Sequence, residues 1–180
     1  MSDGITEGWY RDASRVESPN FDDRPPGARV ELIVLHHISL PHGDFATDAV
    51  INFFQNQLDI QAHPELAELA NIRVSAHFFV RRSGQVIQFV NTDRRAWHAG
   101  VSAWRGRAAC NDFSVGIEIE GTSEVPFERA QYDALNALIK ALRQTYSDAA
   151  LTSHSEIAPG RKVDPGPCFD WARLMYRCDI

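Results

Sequence analysis

The sequence predicts one α/β domain, a central mixed β-sheet flanked by α-helices. Three observations predict it. Val30-Glu31-Leu32-Ile33-Val34-Leu35 is a β-branched apolar run of strand length, suited to a central strand covered on both faces. From Phe127 to Tyr146 an apolar period of 3.6 residues runs through Tyr132, Leu135, Leu138, Ile139, Leu142 and Tyr146. Strand-like and helix-like stretches then alternate along all 180 residues, with no repeat and no linker rich enough to divide them.

Residues 1–29 are polar and carry Pro19, Pro25, Pro26 and Gly27, which suits an arm packed on the domain formed by residues 30–180. The strand at 30–35 delivers His36 and His37 at its C-terminal end. Thr47 is a plausible N-cap for a helix to Leu58, with Val50, Phe53, Phe54, Gln57 and Leu58 near one face. Residues 59–72 read as a loop with Pro64 and a short helix at 65–70. Strands at 74–80 and 85–90 are joined by Arg82-Ser83-Gly84, and 91–112, rich in Arg, Trp and Gly, reads as loop. The strand at 113–120 alternates, Val115, Ile117 and Ile119 on one side and Ser114, Gly116, Glu118 and Glu120 on the other. After the long helix, Ala150-Leu151-Thr152-Ser153 is a short strand leading to His154. A loop at 155–168 follows, and Asp170 caps a last helix containing Trp171, Leu174 and Met175.

Composition removes several function classes. Lys and Arg number 18 against 24 Asp and Glu, a formal charge of −6. A nucleic-acid or anionic-membrane binder needs the opposite surplus, although a local basic cluster can still hold an anionic ligand. No apolar stretch approaches the roughly 18 residues that cross a bilayer. MSDGITEGWYRDASR has no apolar core behind a basic start, so it does not read as a secretory signal. Cys110, Cys168 and Cys178 then read as reduced thiols, and the expected address is cytoplasmic.

Strand ends are where a sheet gathers residues distant in sequence. His36 ends one strand, His154 ends another, and Asp164 follows ten residues later in a loop stiffened by Pro159, Gly160, Pro165, Gly166 and Pro167. Two imidazoles and a carboxylate, with a fourth position for water, make a catalytic zinc set. The spacing matches none of the compact zinc signatures. His37 can equally be a hydrogen-bonded core residue, and His77 in Ser75-Ala76-His77-Phe78-Phe79 reads as one. His42 and His63 read as solvated. Glu118 and Glu120 are unusual in an otherwise apolar strand, against the alternative that their face meets solvent. Lys162 by default is a solvated loop charge, and Cys110 has no nucleophile context.

The runs VLHHISLP (34–41), RVSAHFFVRRSGQVIQFV (73–90), RAWHAGVS (95–102), CNDFSVGIEIEG (110–121) and HSEIAPGRKVDPGPCFDW (154–171) resemble the AmpD family. These are cytoplasmic zinc amidases within the type-2 N-acetylmuramoyl-L-alanine amidase superfamily, whose fold is shared with phage amidases and peptidoglycan-recognition proteins. The resemblance covers nearly the whole chain. It implies hydrolysis of the amide between the lactyl group of 1,6-anhydro-N-acetylmuramic acid and L-alanine, in cytoplasmic peptidoglycan recycling that indirectly limits β-lactamase induction. Position by position it implies one zinc ion per chain, held by His36, His154 and Asp164. Glu118 falls at the general acid–base position and Lys162 at the position that stabilises the transition state. His37 stands where the family often has Asn, which makes it a candidate substrate contact. Arg73 and Arg161 are candidate cations for the carboxylates of the peptide, and Trp97 and His98 candidate walls for the sugar–peptide junction. The partner expected is a small muropeptide, bound by a monomer. The competing readings are a non-catalytic muropeptide-binding module, which Asp164, Glu118 and Lys162 argue against, and an exported lytic amidase.

Overall fold

The computed structural model describes residues 4–176. Its strands are β1 (Ile5–Thr6), β2 (Trp9–Tyr10), β3 (Ser14–Arg15), β4 (Phe21–Asp23), β5 (Leu32–Ile38), β6 (Phe78–Val80), β7 (Val86–Gln88), β8 (Arg94–Ala96), β9 (Ala103–Trp104), β10 (Arg107–Ala108), β11 (Ser114–Glu120) and β12 (Ala150–Ser153). The helices are α1 (Ala49–Phe54), α2 (Arg129–Thr145) and α3 (His154–Ile157), with 3-10 turns at Pro64–Leu69, Cys110–Phe113 and Trp171–Arg173.

The predicted mixed sheet is present, six strands in the order β12-β5-β11-β6-β7-β3. β12, β5, β11 and β6 run parallel, and β6 and β7 form the antiparallel pair. Parallel strands bring their C-terminal ends to one edge, the usual place for a ligand in such sheets. Here that edge collects the ends of β5, β11 and β12, and with them His36, Glu118 and His154.

Two layers cover the sheet. α2 packs Tyr132, Leu135, Leu138, Ile139 and Leu142 against Ile33, Leu35, Phe78, Val115, Ile117, Ile119 and Leu151. The other face is covered in two patches. Val50, Phe53 and Phe54 of α1 meet Phe79, Ile87 and Phe89, while Ala99, Cys110, Phe113 and Ile157 meet Leu32 and Val34. The gap between these patches is where Glu118 and His36 point.

A cap fixes the start of α2. Glu128 and Gln131 form a reciprocal capping box. The buried Gln131 also donates from Nε2 to the carbonyls of Glu120 (2.9 Å) and Val80 (3.3 Å), tying the helix start to two strand ends.

Several boundaries differ from expectation, each for a local reason. β5 extends to Ile38, so His36 and His37 lie within the ladder rather than beyond it. α1 begins after Asp48, one residue later than expected, while the Thr47 hydroxyl donates to the Leu40 carbonyl (2.6 Å) and accepts from Ala49 N (3.3 Å). It stops at Phe54, where Asn56 turns to a positive φ of 60°. Residues 74–77 do not join β6: Ser75 N–H goes to Trp97 O (3.1 Å) and His77 N–H to Gly116 O (3.1 Å). The expected loop 91–112 contains β8 and the hairpin β9–β10. The loop expected from 155 starts as the short α3, capped by Ser153 Oγ accepting from Glu156 N (3.1 Å). The last helix is one 3-10 turn, with Asp170 Oδ1 accepting from Ala172 N (3.0 Å). In the arm, β3 pairs with β7 at the sheet edge and β4 with β8. Cys110 and Cys168 are free thiols, and Cys178 lies outside the described residues. Among the described residues no helix is long and apolar enough to cross a membrane.

Candidate active site and metal centre

Three strand ends build the site. β5 carries His36, β12 runs directly into His154, and the loop after α3 returns Asp164, whose carbonyl accepts from Ser155 N (3.0 Å). His36 Nδ1 lies 2.8 Å from His154 Nδ1 and 3.3 Å from Asp164 Oδ2, and His154 Nδ1 lies 2.9 Å from the same oxygen. All three residues are buried, and they form the one group of three metal-capable side chains among the described residues.

The donor set fits a metal ion. His154 Nε2 faces the Ala99 carbonyl at 3.1 Å, which only accepts, so this nitrogen carries the hydrogen and a neutral ring turns its Nδ1 lone pair inward. That lone pair meets a second imidazole nitrogen and a carboxylate oxygen, an arrangement that calls for a cation between them. Tetrahedral zinc with bonds of 2.0–2.1 Å would set its ligand atoms about 3.3 Å apart, close to the triangle seen here. Electrostatics agree. Burial drives His36 down to about 4, keeping it a neutral ligand. Burial alone would raise Asp164, but the imidazoles of His154 and His36 against its Oδ2 outweigh that and hold it well below the usual range.

Glu118 faces the triad from β11. Its Oε2 is buried without a hydrogen-bond partner, whereas Glu120, two residues on, accepts from Arg82 N at 2.8 Å. The free oxygen therefore marks Glu118 as the carboxylate held for something else. Burial, and next the Asp164 charge, push its pKa well above the usual range, with Lys162 opposing. A cation at the triad would draw it back down. Lys162 is exposed, its backbone N–H bonded to Ala158 O (3.0 Å), and it lines the same cleft.

That cleft has a volume of about 290 Å³ and is walled by Phe53, Phe54, Ile72, Val74, Trp97 and His98 around Glu118, His154, Lys162 and Asp164. A larger groove of about 1010 Å³ at the opposite ends of the strands, beside Arg24 and Arg107, contains none of these groups. His37 lines the cleft and bonds Ser123 Oγ (3.0 Å). Arg73 is exposed beside Ile72, its guanidinium on the carbonyls of Ala70 and Ile72. Arg161 reaches the carbonyls of Ala99 and Val101. His98 lies against the His36 ring, 2.9 Å from its Nε2. His77 is the buried core residue expected, bonded to Gly116 N and Arg94 O. Sequence reasoning did not find the α1 wall of the cleft, or Asn111 and Ser114 behind His98. Asn111 and Ser114 gave no signal, whereas Gly116 inside a strand marked a close approach.

Residues 26–167 match the model of the N-acetylmuramoyl-L-alanine amidase family. The chain is 50% identical over 172 residues to the 1,6-anhydro-N-acetylmuramyl-L-alanine amidase AmpD of Escherichia coli strain K12, covering 94% of each protein. It is similar in structure to a crystallised AmpD, with a TM-score of 0.92 and 48% identity over 94% of this chain and 96% of that one. It also resembles the Escherichia coli amidase AmiD, solved with anhydro-N-acetylmuramic acid-L-Ala-D-γ-Glu-L-Lys. There the TM-score is 0.59 at 29% identity, covering 86% of this chain and 64% of that one.

Proposed function

The chain belongs to the N-acetylmuramoyl-L-alanine amidase family, and we propose that it hydrolyses the lactyl–L-alanine amide of 1,6-anhydro-N-acetylmuramyl peptides with one zinc ion. The observation that carries this reading is the buried, unbonded Oε2 of Glu118 facing the convergence of His36, His154 and Asp164. The relatives named 1,6-anhydro-N-acetylmuramyl-L-alanine amidase support the substrate class.

Amide hydrolysis needs a nucleophile, a stabilised oxyanion and a proton for the departing amine. Zinc, when bound by His36, His154 and Asp164, lowers the pKa of a water toward about 7 and polarises a carbonyl. Glu118 takes the proton of the attacking water on its free oxygen and returns it to the alanine nitrogen, so that the amine departs neutral. The Lys162 ammonium sits beside the oxygen that gains negative charge. Phe53, Phe54 and Trp97 exclude water around the scissile bond, and His37 and His98 complete the wall. Arg73 and Arg161 supply cations for the peptide carboxylates, which a chain of −6 must hold locally.

All the groups proposed for the reaction lie on one chain, and a monomer is the form proposed. The free thiols of Cys110 and Cys168 suit a reducing cytoplasm and a role in peptidoglycan recycling. In a bacterium whose β-lactamase is induced by such muropeptides, this hydrolysis keeps expression low.

Mass spectrometry of an anhydro-muropeptide incubated with the protein tests the reading. Release of free peptide and anhydro-muramic acid, abolished by a chelator and restored by zinc, is expected. Binding of zinc and muropeptide without release would instead make the protein a recognition module.

A further inference from the structure

We propose that His98 is a positioning residue for the metal, and that with the carbonyl of Ala99 it orients both metal-facing imidazoles from a single strap of chain. The inference rests on the zinc reading above and adds a role that reading does not contain. His36 Nε2 lies 2.9 Å from His98 Nδ1, and His98 Nε2 lies 2.9 Å from Ser114 Oγ. His154 Nε2 lies 3.1 Å from Ala99 O. The outer nitrogens of both imidazoles therefore end on two consecutive residues.

The direction of the hydrogens follows from the metal. An imidazole that gives Nδ1 to a cation carries its hydrogen on Nε2, and in a buried site that hydrogen needs an acceptor. For His36, 1% exposed, the acceptor is His98 Nδ1. His98 then carries its own hydrogen on Nε2 and donates it to Ser114 Oγ. Only this order satisfies both rings.

The surroundings are built to hold the strap still. Asn111 Oδ1 accepts from the backbone N–H of His98 (3.2 Å) and of Ala99 (2.8 Å). Arg161 Nη2 donates to Ala99 O (2.7 Å) and Val101 O (2.6 Å). Gly116 leaves the room: a Cβ there would stand 2.5 Å from Cγ and Nδ1 of the His98 ring, closer than real contacts allow. A ring that merely walled the cleft would need neither the bond to His36 nor the bond to Ser114.

The test is the zinc affinity of the full chain, measured by competition with a chromophoric chelator. His98→Ala removes the acceptor and should weaken zinc about 10–100-fold. His98→Asn places an amide oxygen close to where Nδ1 stood, and should restore most of that loss. Equal weakening in both variants, or none in either, overturns the proposal. Should His98→Ala fail to fold, Ser114→Ala keeps the ring and cuts its far bond. Several-fold weaker zinc is then expected, and unchanged affinity overturns the proposal. Failure of the unaltered protein to bind zinc would overturn the zinc reading, and this inference with it.

Discussion

Glu118 stands level with His36 across the parallel ladder of β5 and β11, both side chains on one face of the sheet. Neighbouring strands lie about 4.8 Å apart, so the carboxylate and the imidazole proposed as acid–base group and first ligand are set by backbone hydrogen bonds rather than by a loop. A slip of one residue would turn Glu118 into the core beneath α2. The register is defended on that side by Val115, Ile117 and Ile119, all fully buried.

Glu118→Gln keeps the shape and removes the proton acceptor. Peptide release should fall about 10²–10⁴-fold. Metal analysis should still find one zinc per chain, because the ligands are untouched. Retained turnover would remove Glu118 from the mechanism.

Asp164→Ala and Lys162→Ala should separate binding from chemistry. Asp164→Ala deletes a corner of the triangle and leaves two imidazoles, so zinc should be lost in dialysis and activity with it. Lys162→Ala should retain zinc and lose on the order of 10²–10³ in turnover, the scale of one donor to a developing oxyanion. Full activity in Lys162→Ala would show that the cation acts elsewhere.

Most of the fold was legible because its signals are local. The apolar run before His36, the alternation of 113–120 and the period of α2 each report burial directly. The short pieces were not: β8 is three residues paired with the distant β4, β9–β10 is a hairpin of two residue pairs, and α3 is capped by Ser153 Oγ accepting from Glu156 N. In the site, strand ends pointed to His36 and His154 and the stiff loop ten residues on offered Asp164 as a third ligand, but that spacing matches no compact zinc signature, and the resemblance of the HSEIAPGRKVDPGP block singled the set out. Asn111 and Ser114 stayed invisible because an amide or hydroxyl that holds a strap has the same sequence appearance as one in water.

His77 should make the metal-free protein acid-labile. Burial, reinforced by the nearby Arg24 guanidinium, lowers its pKa to about 3 from an ordinary 6.5. As pH falls below 6.5 the unfolded chain takes up a proton that the folded one refuses until about 3. The stabilisation is therefore complete above 6.5 and is lost progressively down to 3. Thermal melts of chelator-treated protein should show Tm falling through this window, and His77→Gln should flatten the slope. An unchanged slope would mean that His77 is not the group refusing the proton.

Gln131→Ala should cost stability and leave the chemistry in place. The side chain is fully buried. It donates to the carbonyls of Glu120 and Val80, and its Oε1 accepts from Glu128 N (2.9 Å). Truncation strands two carbonyls at the ends of β11 and β6 and uncaps α2, at about 2–3 kcal/mol. For a domain of this size that corresponds to a Tm lower by roughly 4–12 °C. Gln131 lies on the α2 side of the sheet, whereas Glu118 is held by the whole ladder with β5. Zinc content and turnover measured well below the transition should therefore stay near the unaltered values. A loss of turnover equal to that of Glu118→Gln would show that the α2 cap, and not the β5–β11 register alone, holds the carboxylate in place.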